Sequence, residues 1–125
     1  MNKYKAEAKE RWGNTEAYKQ SAARTKNWTK EDYKRMGEQG IALTKQIALV
    51  MHLPVTDTKV QELIKLHHAS IEVFYTCSTE MYRGLAELYI TDPRFTKYYE
   101  DVAPGLAKFM HDAILHFCDT QKASL

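Results

Sequence analysis

The 125-residue sequence lacks any apolar run that approaches the roughly 20 residues needed to span a membrane, and its amino terminus lacks the apolar stretch of a secretion signal. Cysteine is also scarce, with two residues in the whole chain. Two thiols without a secretion signal are typical of a reducing cytosol. We therefore expect a cytoplasmic protein with reduced cysteines and no membrane partner.

The sequence also has no large excess of charge of either sign. Lys and Arg total 18, and Asp and Glu total 16, which leaves a net charge of +2. Most of the basic excess precedes residue 36, where acidic side chains such as Glu7, Glu31 and Asp32 interrupt it. A nucleic-acid-binding domain usually needs a concentrated basic face. These charges therefore indicate solvated helix surfaces, and no direct contact with nucleic acid is expected.

No stretch alternates apolar and polar residues with the period of two that marks a half-buried strand. Helix start signals are frequent instead. Thr29 is a good N-cap with Asp32 at the N3 position, and Trp28 and Tyr33 flank it as a hydrophobic staple. Further caps are expected at Asn14-Thr15, at Asp57 or Thr58, at Ser78, and at Asp92 before Pro93. The predicted helices run over about 30–52, 58–76, 79–90, 93–100 and 104–119, after a helix that includes Ala17, Tyr18 and Ala22.

The sequence shows no internal repeat, low-complexity tract or interdomain linker. We therefore expect one all-α domain with six or seven helices around one core. Gly37 and Gly40 lower the helix propensity of 30–52, which indicates close approach by another helix or by a ligand at that point.

Motifs for metals, haem and phosphate are absent from the sequence. His67 and His68 are adjacent and would point about 100° apart on a helix, while HExxH and CxxC do not occur. A lone histidine on an apolar helix face, such as His67, is more often half-buried than a haem ligand. No glycine-rich loop is present. We expect neither a metal nor another cofactor.

Cys77 is the residue whose chemistry the pattern leaves open. It lies at a helix start beside Ser78, where the helix N-terminus can lower the pKa of a thiol. His67 or His68 would have to act as its base, which would make the chain a thiol-dependent enzyme. The alternative is a buried, inert cysteine next to a serine that only caps the helix.

Eight Tyr and two Trp outnumber four Phe, so most aromatic rings carry a polar group. Such rings bury well only where that group finds a partner, and they also suit a pocket for a large amphipathic ligand. The residues by themselves indicate a small all-α domain whose aromatics form either a core or a pocket.

Two stretches carry a resemblance to a known family: "RWGNTEAYKQSAARTKNWTKEDY" and "FYTCSTEMYRGLAELYITDPRFTKYYEDVAPGLAKFMHDAI". They resemble the TipAS antibiotic-recognition domain, which forms the effector part of certain MerR-type transcription activators and also occurs as short drug-sequestering proteins. The resemblance implies a globin-like all-α fold without haem, and a cleft for a large hydrophobic antibiotic such as a thiopeptide. It also implies a mobile N-terminal helical lid at 1–28 on a helical core at 29–125.

The resemblance also directs attention to particular residues. Candidates for the lining of the cleft are Trp12 in the lid and, on the shared motif or on helix faces that would converge, Tyr18, Met36, Gly40, His67, Tyr75, Cys77, Met81 and Tyr82. A thiostrepton-binding member of the family has a cysteine at the position of Cys77 and a second one seven residues later, with which covalent capture of the antibiotic is associated. Gly84 occupies that second position here, so we expect reversible binding.

Three functions follow as hypotheses. The first is a drug-recognition domain, which either stands alone or serves as the effector domain of a MerR-type regulator whose DNA-binding part lies outside this sequence; it would not be an enzyme. The second is a thiol-dependent enzyme that uses Cys77. The third is a purely structural helical domain that dimerises.

Overall fold

The computed structural model describes residues 15–123, and within that range every regular element is an α-helix. The helices are α1 (Glu16–Arg24), α2 (Lys30–Ala48), α3 (Thr58–Glu72), α4 (Thr79–Thr91), α5 (Pro93–Val102) and α6 (Leu106–Ala123). The all-α prediction is confirmed, and so are the predicted starts of α2 to α5. Of the helices in residues 15–123, none is long and apolar enough to cross a membrane.

The helix starts follow from local hydrogen bonds that the sequence predicts. The Thr29 hydroxyl accepts from the Asp32 amide, and the Asp32 carboxylate accepts from the Thr29 amide, which completes a capping box at α2. The Trp28 and Tyr33 rings lie 5.2 Å apart between centroids, so the predicted staple is present. The other predicted caps are confirmed at Thr15, Asp57, Ser78 and Asp92. Substitution of such a cap by Ala costs about 1 kcal/mol.

The predicted ends of α2 and α3 are wrong, because both helices stop earlier. After Ala48 the Leu53 amide donates to a carbonyl only three residues back, and these tight turns lead to Pro54, which disfavours a helical conformation in the residue before it. Helix α3 ends at Glu72, and the amide of Phe74 likewise bonds three residues back. Both long helices are therefore four residues shorter than predicted.

Helix α6 begins at Leu106 instead of 104 and continues to Ala123 instead of 119. Gly105 has a φ of +86°, a left-handed conformation that does not belong to a helix. The carboxylate of Glu100 accepts from the amides of Gly105 and Ala107, each at 2.9 Å, and so satisfies two donors at this helix start. The cap thus comes from α5, which sequence spacing alone does not indicate.

Helix α6 lies at the centre of the fold, where it packs against α3, α4 and α5. Its buried side chains recur at helical spacing and meet apolar residues of the other helices. The core contains Ile47, Val60, Ile64, Tyr82, Ala86, Leu106, Met110, Ala113, Ile114 and Cys118. Each large aliphatic residue buried in this way contributes about 1.5–3 kcal/mol of hydrophobic free energy. Helix α1 has no buried residue and remains outside this core.

Candidate ligand-binding site

A groove with a volume of about 310 Å³ lies between one face of α2 and one face of α3. The residues of its α2 wall recur at helical spacing, and its α3 wall consists of two residues one helical turn apart. The lining residues are Met36, Gln39, Gly40, Ala42, Leu43, Gln46, Leu66 and Ser70. None of these eight side chains is ionisable, and Leu66 exposes 56% of its surface. Such a groove suits a ligand that is largely apolar and carries no charge.

Two of the predicted site residues, Met36 and Gly40, line this groove together. The expectation that another helix packs closely on Gly37 and Gly40 is wrong, because no atom of the described chain outside α2 lies within 4 Å of where a Cβ would be. At Gly40 the missing side chain instead keeps the groove open. The other interpretation of Gly40, close approach by a ligand, stays a prediction.

A hydrogen-bonded chain fixes the groove wall from behind. The buried Thr44 hydroxyl donates to the Gly40 carbonyl at 2.8 Å. The Tyr98 hydroxyl lies 3.5 Å from the same Thr44 oxygen and must donate to it, because the Thr44 hydrogen is already used. Helix α5 is therefore linked to α2 directly beneath the groove.

His67 and Tyr82, two further candidates, form a pair in the interior. Tyr82 is fully buried, and its hydroxyl donates to the carbonyl of Ile64 at 3.3 Å. The Nδ1 of His67 lies 2.6 Å from that hydroxyl and donates to it, which places the ring proton on Nδ1. Burial lowers the pKa of His67 to about 4, helped by the neighbouring His68, so the ring is neutral at pH 7. Both residues act as a hydrogen-bonded part of the core.

The thiol of Cys77 is buried, with 3% of the residue exposed. Burial raises its pKa to about 11, and the nearby Glu72 carboxylate and Cys118 add to this effect. The interpretation that the helix start activates this thiol is therefore wrong, and the inert alternative fits.

Glu72 and His68 hydrogen-bond to the backbone of Cys77 and not to its thiol. The Cys77 amide donates to Glu72 at 3.1 Å, and its carbonyl accepts from Nε2 of His68 at 2.7 Å. The other ring nitrogen of His68 lies 3.7 Å from the Glu72 carboxylate. His67 is paired with Tyr82. Both imidazoles thus serve structural contacts and not the thiol.

The remaining candidates do not share the groove. Tyr75 is half-buried against the core, Met81 exposes 39% of its surface on α4, and Tyr18 is half-buried on α1. Trp12 lies outside the described residues. The eight candidates within residues 15–123 therefore divide among the groove, the core and separate surfaces, and no single pocket in that range unites them.

Helix α1 is attached to the end of α3 by a polar latch, which consists of Gln20, Arg24, Glu72 and Thr76. The Arg24 guanidinium donates to the Glu72 carbonyl at 2.8 Å and to the Thr76 hydroxyl at 3.3 Å. The Thr76 amide donates to the Gln20 side chain at 2.8 Å. Helix α1 has no fully buried residue, so these exposed hydrogen bonds are attachments that its burial does not replace. Such contacts are individually weak.

The sequence pattern did not single out the other six lining residues, which are Gln39, Ala42, Leu43, Gln46, Leu66 and Ser70. Met36 and Gly40 belong to the apolar stripe that predicts α2, but the two glutamines lie beside that stripe, where a polar residue ordinarily indicates solvent. Only the position of α3 makes them part of a groove. Among residues 15–123, no cluster of three or more His, Cys, Asp or Glu side chains could hold a metal ion.

Comparison with known proteins gives three consistent matches. The sequence pattern of the TipAS antibiotic-recognition domain matches residues 4–117. The HTH-type transcriptional activator TipA of Streptomyces coelicolor is 38% identical over 117 residues, which cover 91% of this chain and 46% of that protein. The HTH-type transcriptional activator mta of Bacillus subtilis is 30% identical over 108 residues, 86% of this chain and 42% of that protein.

A solved structure of TipAS from Streptomyces lividans in complex with nosiheptide has the same fold, with a TM-score of 0.85 and 36% sequence identity. The match covers 96% of this chain and 86% of that one. By contrast, the chain spans about half the length of the curated relatives it matches, with 46% of TipA covered.

Proposed function

Since the chain belongs to the family of TipAS antibiotic-recognition domains, we propose that it binds a large hydrophobic antibiotic in the groove between α2 and α3. The observation that carries this proposal is a mostly apolar groove without ionisable residues, set in a fold shared with a nosiheptide complex. Of the residues that the sequence predicts for the site, Met36 and Gly40 line this groove, and we expect both to contact the ligand.

The size of the groove supports the participation of a lid. About 310 Å³ is at the small end of ligand pockets, so a thiopeptide-sized molecule would fill it and extend beyond it. Residues 1–28 are proposed as the segment that covers the exposed part, and the structure describes 15–28 of it, including α1. A segment held by a few exposed hydrogen bonds can reorganise around a ligand at a cost in ordering entropy.

The proposed role is sensing or sequestration, without catalysis. The relatives are named as transcriptional activators, and they extend well beyond the segment that this chain matches. In a longer protein the DNA contacts would come from another part, in agreement with the net charge of +2. A cytoplasmic location is proposed because transcription regulators act there. The buried Cys77 thiol offers no support for a thiol-dependent enzyme.

Titration calorimetry of the full chain with nosiheptide tests this function. Wild type should bind, and Gly40→Leu should raise Kd by at least about tenfold, because the new side chain enters the groove. The same change adds about 0.5–1 kcal/mol of helix propensity, so the variant should remain folded. Gly37→Leu, on the same helix but outside the groove lining, is the matched control and should keep the wild-type Kd.

Two results would count against the proposal. If wild type binds neither nosiheptide nor other bulky antibiotics in a panel, antibiotic recognition is wrong. If wild type binds and both glycine variants keep its affinity, the ligand binds elsewhere on the chain. Thermal unfolding of each variant separates loss of binding from loss of structure.

A further inference from the structure

The polar groups at the groove are uncharged, although α2 is otherwise rich in charge. Lys34, Glu38 and Lys45 on the same helix are exposed and do not line the groove. The polar groups that do line it are two primary amides, Gln39 and Gln46, and one hydroxyl, Ser70. Any ligand there meets hydrogen-bonding groups without meeting a compensating charge.

The orientation of these groups limits what they can bind. The Ser70 hydroxyl donates to the His67 carbonyl at 2.6 Å, so it offers only its lone pairs to the groove. Gln39 and Gln46 are exposed, and no described residue hydrogen-bonds to either side-chain amide. Each of them can therefore both donate and accept toward a ligand.

The spacing of the two amides matches a peptide-like molecule. Seven residues separate them, and at 1.5 Å per residue they lie about 10 Å apart on the same side of α2. An extended peptide rises about 3.3 Å per residue, so its amide groups three residues apart recur at about the same distance. The neighbouring wall formed by Met36, Gly40 and Leu43 is apolar and suits the side-chain or ring parts of such a ligand.

We propose that Gln39 and Gln46 are specificity-determining residues, which bind amide groups about 10 Å apart on an uncharged peptide-like ligand and make the groove reject ligands that carry a charge there. A charged group placed between these amides would lose hydration without gaining an ion pair, which is unfavourable. This inference rests on the proposed function, since it concerns the same groove.

The experiment places a single charge at each position in the full chain and measures nosiheptide binding by calorimetry. Gln39→Glu and Gln46→Glu should each raise Kd by at least about tenfold near pH 7.5. Gln39→Ala and Gln46→Ala, which only remove hydrogen bonds, should raise it by about two- to tenfold. Gln121→Glu, an exposed position on α6 outside the groove, is the matched control and should leave Kd unchanged.

Measuring Kd at two pH values distinguishes an effect of the introduced charge from structural damage in the glutamate variants. A glutamate that faces an uncharged ligand binds a proton more readily in the complex, so lowering the pH to about 5 should recover part of the affinity of both glutamate variants. The alanine variants should show no such recovery beyond that of wild type.

The possible outcomes distinguish a failure of the role of Gln39 and Gln46 from a failure of antibiotic binding. If wild type binds nosiheptide and the glutamate variants bind it equally well, the role of Gln39 and Gln46 is wrong while antibiotic binding stands. The same conclusion follows if the glutamate variants weaken binding equally at both pH values. If wild type itself does not bind, the proposed function fails, and this inference fails with it.

Discussion

At the scale of single residues, His111 makes two contacts that only a protonated ring satisfies. Its Nδ1 lies 2.8 Å from the Asp112 carboxylate, and its Nε2 lies 3.0 Å from the Glu87 carboxylate. Neutral imidazole has one N–H, so donation to both carboxylates requires the imidazolium form. Partial burial by itself lowers the pKa of His111, but the bonds to Asp112 and Glu87 outweigh it, and the pKa is raised. The contact joins α4 to α6.

His111→Gln should therefore destabilise the protein in a pH-dependent manner. A raised folded-state pKa gives stability that is complete below the ordinary value of 6.5 and is lost as the pH rises through the folded pKa. The loss in free energy of unfolding should be about 1 kcal/mol near pH 5.5, and it should shrink near pH 8.5. Urea denaturation at the two pH values measures it.

Glu87→Gln provides the partner control, because it removes the carboxylate that faces Nε2 and should weaken the same pH dependence. A loss for His111→Gln that is equal at both pH values would show that the ring acts through packing and not through its charge.

Cys77 should not capture a ligand covalently. With a pKa of about 11, only about one thiol in 10⁴ is ionised at pH 7. Cys77→Ser should change the Kd for thiostrepton by less than about threefold, while the buried hydroxyl costs about 1–3 kcal/mol of stability. Intact-protein mass spectrometry after incubation with thiostrepton should show no adduct.

Cys118→Ser is the matched control for that experiment, because Cys118 is also a buried free thiol. A stable adduct that is absent from Cys77→Ser but present in Cys118→Ser would show that Cys77 becomes exposed often enough to react.

At the scale of whole helices, the latch decides how firmly α1 is held. Arg24→Met keeps the length of the side chain but removes its hydrogen bonds to Glu72 at the end of α3 and to Thr76 just after it. Amide exchange in 16–24 should become about tenfold faster without ligand, since exposed hydrogen bonds of this kind contribute only about 0.5–1.5 kcal/mol each. Exchange in α4, which packs in the core, should not change. Hydrogen–deuterium exchange measures both.

Lys19→Met on the same helix is the control, because it also replaces an exposed long cation with methionine. The lid proposal further predicts that nosiheptide slows exchange over 1–28. Equal exchange of 16–24 in wild type and Arg24→Met would show that the latch does not hold α1 in solution. Equal exchange over 1–28 with and without bound nosiheptide would rule out a folding lid.

At the scale of the whole molecule, the six helices found in residues 15–123 divide into a packed body and an attached segment. Helices α3, α4 and α5 pack on α6, and α2 packs on α3 and α5, whereas α1 contributes no buried residue to the core. A body of this kind can hold one groove wall rigid through the contacts of Thr44 and Tyr98. The attached segment can then differ between free and bound states at small cost to the core. This division suits recognition of a ligand larger than the groove itself.

The sequence by itself determined the helices and most of their starts. Thr29 and Asp32 satisfy each other within four residues, and Ser78 and Asp92 act over similar distances, so these signals do not depend on the rest of the fold. The apolar stripe of α2 also placed Met36 and Gly40 on one face. The family resemblance added the expected type of ligand, which composition and spacing alone did not indicate.

Only the tertiary structure decided which of those faces line the groove and which are buried. His67 meets Tyr82 across 15 residues, and the latch joins residues 48 to 56 positions apart. Gln39 and Gln46 become groove residues only because Leu66 and Ser70 of α3 lie opposite. Helix caps depend on hydrogen bonds to near neighbours in the chain. A site depends on how separate helices pack, and the periodicity of each helix by itself does not specify that arrangement.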